Sequence, residues 1–167
     1  MPIELETERL RLRKFREEDW DPYCVMCADP EVMRYLGTGA TFSRDEAWRS
    51  IASMLGHWQL RGYGMWALES KQTGEFVGRA GFLNPAGWPG FELGWTLARP
   101  HWGKGYAREA AREALRHAFG ELKRDRVISL IREANAPSIR VAEAIGETLA
   151  GEVELLGAKA LVYEIRR

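Results

Sequence analysis

Long apolar runs are missing from this chain, and so is any excess of charge. Basic and acidic residues balance at 24 each, so no overall field draws the protein to nucleic acid, which is held chiefly through its phosphates. No stretch approaches the roughly 20 apolar residues a membrane span needs. Met1 to Trp20 carries too many charges for a signal peptide. Together these absences predict a cytoplasmic protein with neither a nucleic acid nor a membrane as partner. Cysteine is scarce too. Cys24 and Cys27 share one face of a predicted helix (Glu17 to Ala28), without a second Cys or His pair to complete a zinc site. They read as two small buried hydrophobes, and no metal is expected. Gly-Lys-Ser/Thr, which a magnesium-dependent phosphate loop needs, is also absent, because Lys104 is followed by Gly105. Internal repeats and low-complexity tracts are lacking.

What remains is 167 residues, 46% of them hydrophobic and seven of them Trp, enough to bury one core. A single domain over residues 1–167 is the expectation. The chain is organised around Phe91 to Phe119. Phe91, Leu93, Trp95 and Leu97 alternate with Glu92, Gly94, Thr96 and Ala98, the period of a strand. After the turn WGKGYA (Trp102 to Ala107), residues Ala107, Ala110, Ala111, Ala114, Leu115, Ala118 and Phe119 fall on one helical face. The first turn of such a helix carries unpaired N–H groups and a partial positive charge, so Gly103, Lys104, Gly105, Tyr106 and Ala107 can hold a phosphate. Side chains at Gly103 and Gly105 would keep a ligand off the backbone. Taken alone, a G-x-G pair is a weak signal and equally a plain helix entrance.

Around that stretch the pattern alternates strands and helices. Leu10 and Leu12 alternate with Arg9, Arg11 and Arg13, which reads as an edge or surface strand with its charges in solvent. Asp29-Pro30 ends the first helix and starts a short one through Leu36. Ser43-Arg-Asp-Glu46 is a capping box ahead of Ala47, Ile51, Met54, Leu55 and Trp58. Met65–Glu69 and Phe76–Leu83 form a predicted hairpin, and Asn84–Gly90 a loop carrying Trp88. Arg126–Arg132 reads as a strand, Pro137–Ile145 as a helix, and Thr148–Leu155 with Ala160–Ile165 as a closing pair.

The combination of WGKGYA with Asn135-Ala-Pro-Ser138 and a short helix ending at Gly146 resembles the GCN5-related N-acetyltransferases. The opening ERLRLRKFREEDW is similar to the branch that acetylates ribosomal-protein N-termini and its small-molecule relatives. The resemblance implies an α/β (α+β) fold: a mixed, mostly antiparallel sheet splayed at the strand before the glycine turn, with helices on both faces. It implies acetyl coenzyme A as co-substrate, its pyrophosphate on Trp102 to Ala107 and its pantetheine arm beside Trp95, Thr96 and Leu97, with Asn135 and Ser138 also in contact. The expected acceptor is a primary amine, on a peptide or a small molecule, and Asp29 to Thr41 is where its specificity would lie. Transfer is expected to be direct, in a ternary complex, by a monomer or homodimer. Glu92 stands where the branch carries a glutamate facing the amine, and is the candidate base. His101 is a rival on intrinsic pKa. The tyrosine that many members use as proton donor is replaced by Ala142; Ser138, three residues after Asn135, matches the ribosomal N-terminal branch, in which a serine near the coenzyme sulfur is the proposed donor. Trp102 and Glu147 depart from the pattern, the first from a usual Gln or Arg, the second from a usual aromatic. A non-catalytic acyl-coenzyme A sensor is the alternative reading.

Overall fold

The computed structural model describes residues 3–167. Eight strands form one sheet: β1 (Leu5–Glu6), β2 (Leu10–Arg13), β3 (Met65–Ser70), β4 (Phe76–Leu83), β5 (Glu92–Leu97), β6 (Arg126–Ile131), β7 (Thr148–Leu155) and β8 (Ala158–Arg166). Their spatial order is β1-β2-β3-β4-β5-β6-β8-β7. Every neighbouring pair is antiparallel except β5 and β6. Five helices cover it: α1 (Trp20–Cys27), α2 (Pro30–Met33), α3 (Arg44–Arg61), α4 (Tyr106–Gly120) and α5 (Ala136–Ala144). None is long and apolar enough to cross a membrane.

Local chemistry explains the boundaries. Ser43 accepts from the Glu46 N–H at 3.2 Å while the Glu46 carboxylate accepts from the Ser43 N–H at 2.7 Å, which starts α3. Gly62, at φ 76°, ends it in the left-handed conformation that glycine favours. Asp29 caps α2 through the Glu31 N–H. The predicted first helix begins with a 3-10 turn at Glu17–Asp19 before α1.

The small residues of α4 let it lie close against one face of the sheet. Ala110, Ala111, Ala114, Leu115 and Ala118 pack there with Leu10, Trp66, Val77, Phe82 and Leu93, and α5 adds Ala142 against Ile131, Leu161 and Tyr163. On the opposite face, Tyr23 and Cys27 of α1, Met33 of α2, and Ala47, Ile51 and Met54 of α3 pack with Phe15, Met65 and Ala67. Cys24 and Cys27 are both free and buried in this second layer.

The first basic strand departs from expectation. β2 is not an edge strand, because β1 pairs with its outer side and β3 with its inner side. Nor do all its charges reach solvent. Arg13 is 5% exposed, with two guanidinium nitrogens 2.8 and 2.9 Å from the Asp19 carboxylate and Nε 2.7 Å from Glu69. A buried cation is tolerated because each carboxylate faces it directly.

Candidate active site

The antiparallel ladder of β4 and β5 runs for six residue pairs, from Gly78 with Leu97 to Leu83 with Glu92. On the other side of β5 the pairing all but stops: Glu92 with Ile128 is the single residue pair to β6. Ile128 N–H donates to Phe91 O at 3.0 Å, and above it the Ser129 hydroxyl reaches Leu93 O at 2.8 Å. At the far end of β5, the Trp102 indole donates to Leu97 O at 2.9 Å. The carbonyls of residues 91, 93 and 97 therefore face the gap, and strand alternation places the N–H and C=O of Trp95 on the same open edge. Such an edge accepts an added extended chain.

Glu92 sits where the two strands part. It is 8% exposed and lines a cavity of about 270 Å³ together with Trp88, Trp95, Thr96, Asn135 and Ser138. Its carboxylate accepts from the Trp88 indole at 2.7 Å and from the Leu130 main-chain N–H. Burial pushes its pKa up to about 7, and the two hydrogen bonds and the charge of Arg79 oppose part of that rise. A surface role for Glu92 is excluded by this placement. Met33, Tyr35, Leu36, Gly37, Thr38, Ala40 and Phe42 supply another wall, which puts the Asp29 to Thr41 segment against the cavity.

Asn135 caps α5, its side-chain oxygen 3.4 Å from the Ser138 N–H. That bond fixes the start of the helix and keeps Ser138 on the cavity wall. Trp102, Gly103, Lys104, Gly105, Tyr106 and Ala107 lie outside the cavity, on the turn that opens α4 beyond the far end of β5. Gly103 and Gly105 take φ of 73° and 80°, and no heavy atom lies within 4 Å of a Cβ placed at Gly103. The N–H groups of residues 103–105 have no hydrogen-bond partner among the described residues. A cradle of free amides with open space in front fits a phosphate. Arg9 braces it from behind, donating to Lys104 O at 2.8 Å, pairing with Glu109 at 2.6 Å and covering the Tyr106 ring at 4.5 Å. His101 lies elsewhere, in a depression with Glu75, Arg13 and Asp19, and its pKa is lowered by burial and by Lys104.

Glu147, which stands out in the sequence only as a departure from the family pattern, is a second buried carboxyl, outside the cavity lining and joined to it through Ser129. It is 2% exposed, its Oε1 is 2.9 Å from the Ser129 hydroxyl, and its Oε2 is buried without a partner. Burial first, and then the charge of Glu92, push its pKa to about 7. A Glu in place of an aromatic is the one signal the chain offers for it; its connection to Glu92 depends on the sheet. Among the described residues, no cluster of three or more His, Cys, Asp or Glu is placed to hold a metal.

Comparison with known proteins gives consistent results. The sequence model described as an acetyltransferase (GNAT) domain matches residues 9–148. The N-acetyltransferase p20 of Bacillus licheniformis is 34% identical over 84% of this chain and 80% of its own. An acetyltransferase of Agrobacterium tumefaciens superposes with a TM-score of 0.88 at 32% identity, over 99% of this chain and 95% of that one. The fold is also that of RimL, a ribosomal L7/L12 α-N-protein acetyltransferase solved in complex with coenzyme A (TM-score 0.81, 19% identity, 98% of each chain).

Proposed function

Because this chain belongs to the GNAT acetyltransferase family, we propose that it transfers an acetyl group from acetyl coenzyme A directly to a primary amine, both being bound together. The observation that carries this reading is Glu92: a buried carboxyl with a pKa near 7, at the mouth of an unpaired strand edge and facing an otherwise largely apolar cavity. A module that merely bound the cofactor has no need of such a group.

Bound acetyl coenzyme A supplies the activated acetyl group. The residues present fit it: the amides of Gly103 to Ala107 would hold its pyrophosphate, and the open edge at Trp95, with Thr96 and Leu97 alongside, would hold the arm. Trp102 is occupied by Leu97 O and so fixes the turn relative to the strand. Asn135 caps the helix that carries Ser138. An alkyl ammonium titrates near ~10 and an N-terminal one near ~8, so the nucleophile must lose a proton before it attacks. Glu92 takes that proton. Ser138 is the proposed donor to the departing sulfur, a modest contribution because a thiolate of pKa about 8.5 leaves readily. Cys24 and Cys27 do not line the cavity, which supports transfer without an acyl-enzyme.

The test is thiol release from acetyl coenzyme A with a panel of amines and short peptides, using Gly105→Glu as the site-blocked control. Glu92→Gln is expected to lower kcat by about 10²- to 10⁴-fold while the Kd for acetyl coenzyme A stays put. Unchanged turnover in that variant would remove Glu92 from the chemistry.

A further inference from the structure

Three charged side chains line the cavity, Arg79, Glu92 and Arg132, and two of them are engaged. The Arg132 guanidinium donates to four main-chain carbonyls: Gly37 at 3.1 Å, Leu155 at 2.9 Å, Ala158 at 2.7 Å and Lys159 at 3.1 Å. It ties the loop after α2 to the β7–β8 hairpin, with both terminal nitrogens engaged. Glu92 is held by Trp88. Arg79 differs. Among the described residues it makes no hydrogen bond and no salt bridge, and its Nε is buried without a partner.

The register fixes where Arg79 stands. Leu83 is opposite Glu92 and Arg79 opposite Thr96, so by alternation Arg79, Gly81 and Leu83 share a face of the sheet with Glu92, Gly94 and Thr96. The charge of Arg79 reaches Glu92. The guanidinium is partly buried and has no acceptor among the described residues, and its planar fork suits a carboxylate. The phosphate cradle lies outside this cavity, so the anion of the cofactor does not meet Arg79.

We propose that Arg79 binds a carboxylate on the acceptor, and that the acceptor is a primary amine of amino-acid size, its amine toward Glu92 and its apolar body against Met33, Leu36, Phe42 and Trp88. This rests on the acetyltransferase reading of the same cavity. Polyamines and aminoglycosides bring further cations, which Arg79 repels, and a peptide N-terminus offers an amide where the carboxylate would sit.

Leucine, leucinamide, 3-methylbutylamine, spermidine and a short peptide with N-terminal leucine separate these cases, with kcat/KM compared per unprotonated amine. Wild type is expected to favour leucine over leucinamide and the plain amine by about 10- to 100-fold, the worth of a charged hydrogen bond. In Arg79→Gln that preference collapses with the KM for acetyl coenzyme A unchanged, and in Arg79→Lys it falls in part. Should the Gln variant not fold, the Lys variant carries the test. Absence of the preference in wild type, its persistence in both variants, or a rise in the acetyl coenzyme A KM instead would overturn the assignment. Turnover of spermidine or the peptide alone overturns it while leaving acetyl transfer standing. No thiol release from any of the five, with acetyl coenzyme A bound, overturns both.

Discussion

Glu147→Gln should stabilise the protein, increasingly so as the pH rises from 4.5 to about 7. In the native state the Glu147 carboxyl is 2% exposed and titrates at about 7 instead of its ordinary 4.5. Between those two values the unfolded chain has released a proton that the native state still binds, so stability falls as pH rises across that window and levels off above it. The gap, at about 1.4 kcal/mol per tenfold, amounts to about 3 kcal/mol. Glutamine has the same shape, and its amide can donate to Ser129 at every pH, as the protonated acid does. Wild type and variant should therefore melt together near pH 4.5 and separate through neutrality, the variant gaining roughly 6–12 °C in Tm by pH 8 for a chain of this size. Titrating groups other than Glu92, whose charge acts on Glu147, are shared by both proteins and cancel in the difference. Circular dichroism melts at unit steps of pH from 4.5 to 9 provide the measurement. A Tm difference that is flat with pH, or that grows toward acid, would refute the reasoning.

Two further outcomes follow from the same geometry. Trp88→Phe removes the indole donor 2.7 Å from Glu92, a bond that favours the ionised carboxylate. The rising limb of kcat/KM, expected near pH 7 from Glu92, should move up by about one pH unit; a pH–rate profile with an unmoved limb would separate Trp88 from the base. Asp19→Ala strips Arg13 of both short bonds to its partner and should cost about 3–5 kcal/mol in denaturant unfolding, whereas a loss under 1 kcal/mol would mean that the pair is solvated.

Local signals are legible in the residues alone. The change of period at the glycines locates β5, the turn and α4. The Ser43–Glu46 box places the start of α3, and the hairpin of β3 and β4 follows from turn residues between apolar runs. Long-range partnerships are not legible in this way. Arg13 looks like one member of a solvated basic run because its partners Glu69 and Asp19 lie 56 and 6 residues away, and nothing local brings β3 beside β2. His101 suits base chemistry by its intrinsic pKa, yet the backbone turn at Arg99–His101 carries it away from the cavity. Arg9 behind the phosphate cradle is hidden for the same reason, since its contacts with Lys104 and Glu109 span about a hundred residues. Of the candidate set, Glu92, Trp95, Thr96, Asn135 and Ser138 converge on one cavity; Trp102 to Ala107 form a separate cradle, joined to it by the open edge of β5.

The two buried carboxyls belong to one system. Each is pushed to about 7, and the Glu92 charge is among the causes for Glu147, so the protons leave the pair in coupled steps. Hydrogen bonding decides which leaves first. Glu92 has two donors, the Trp88 indole and the Leu130 N–H, and the cation of Arg79 within reach, all of which favour its ionised form. Glu147 has one hydroxyl, and Ser129 has a single proton to divide between Glu147 and Leu93 O. With Glu147 protonated, its O–H donates to Ser129 and Ser129 donates to Leu93, so one proton satisfies both contacts; with Glu147 ionised, the Leu93 carbonyl loses its donor. At neutral pH the arrangement thus favours a charged Glu92 beside a neutral Glu147, the state that the proposed role of Glu92 as base requires. A carboxyl behind the strand junction therefore ties the protonation of the cavity at Glu92 to one of the hydrogen bonds that join β5 to β6.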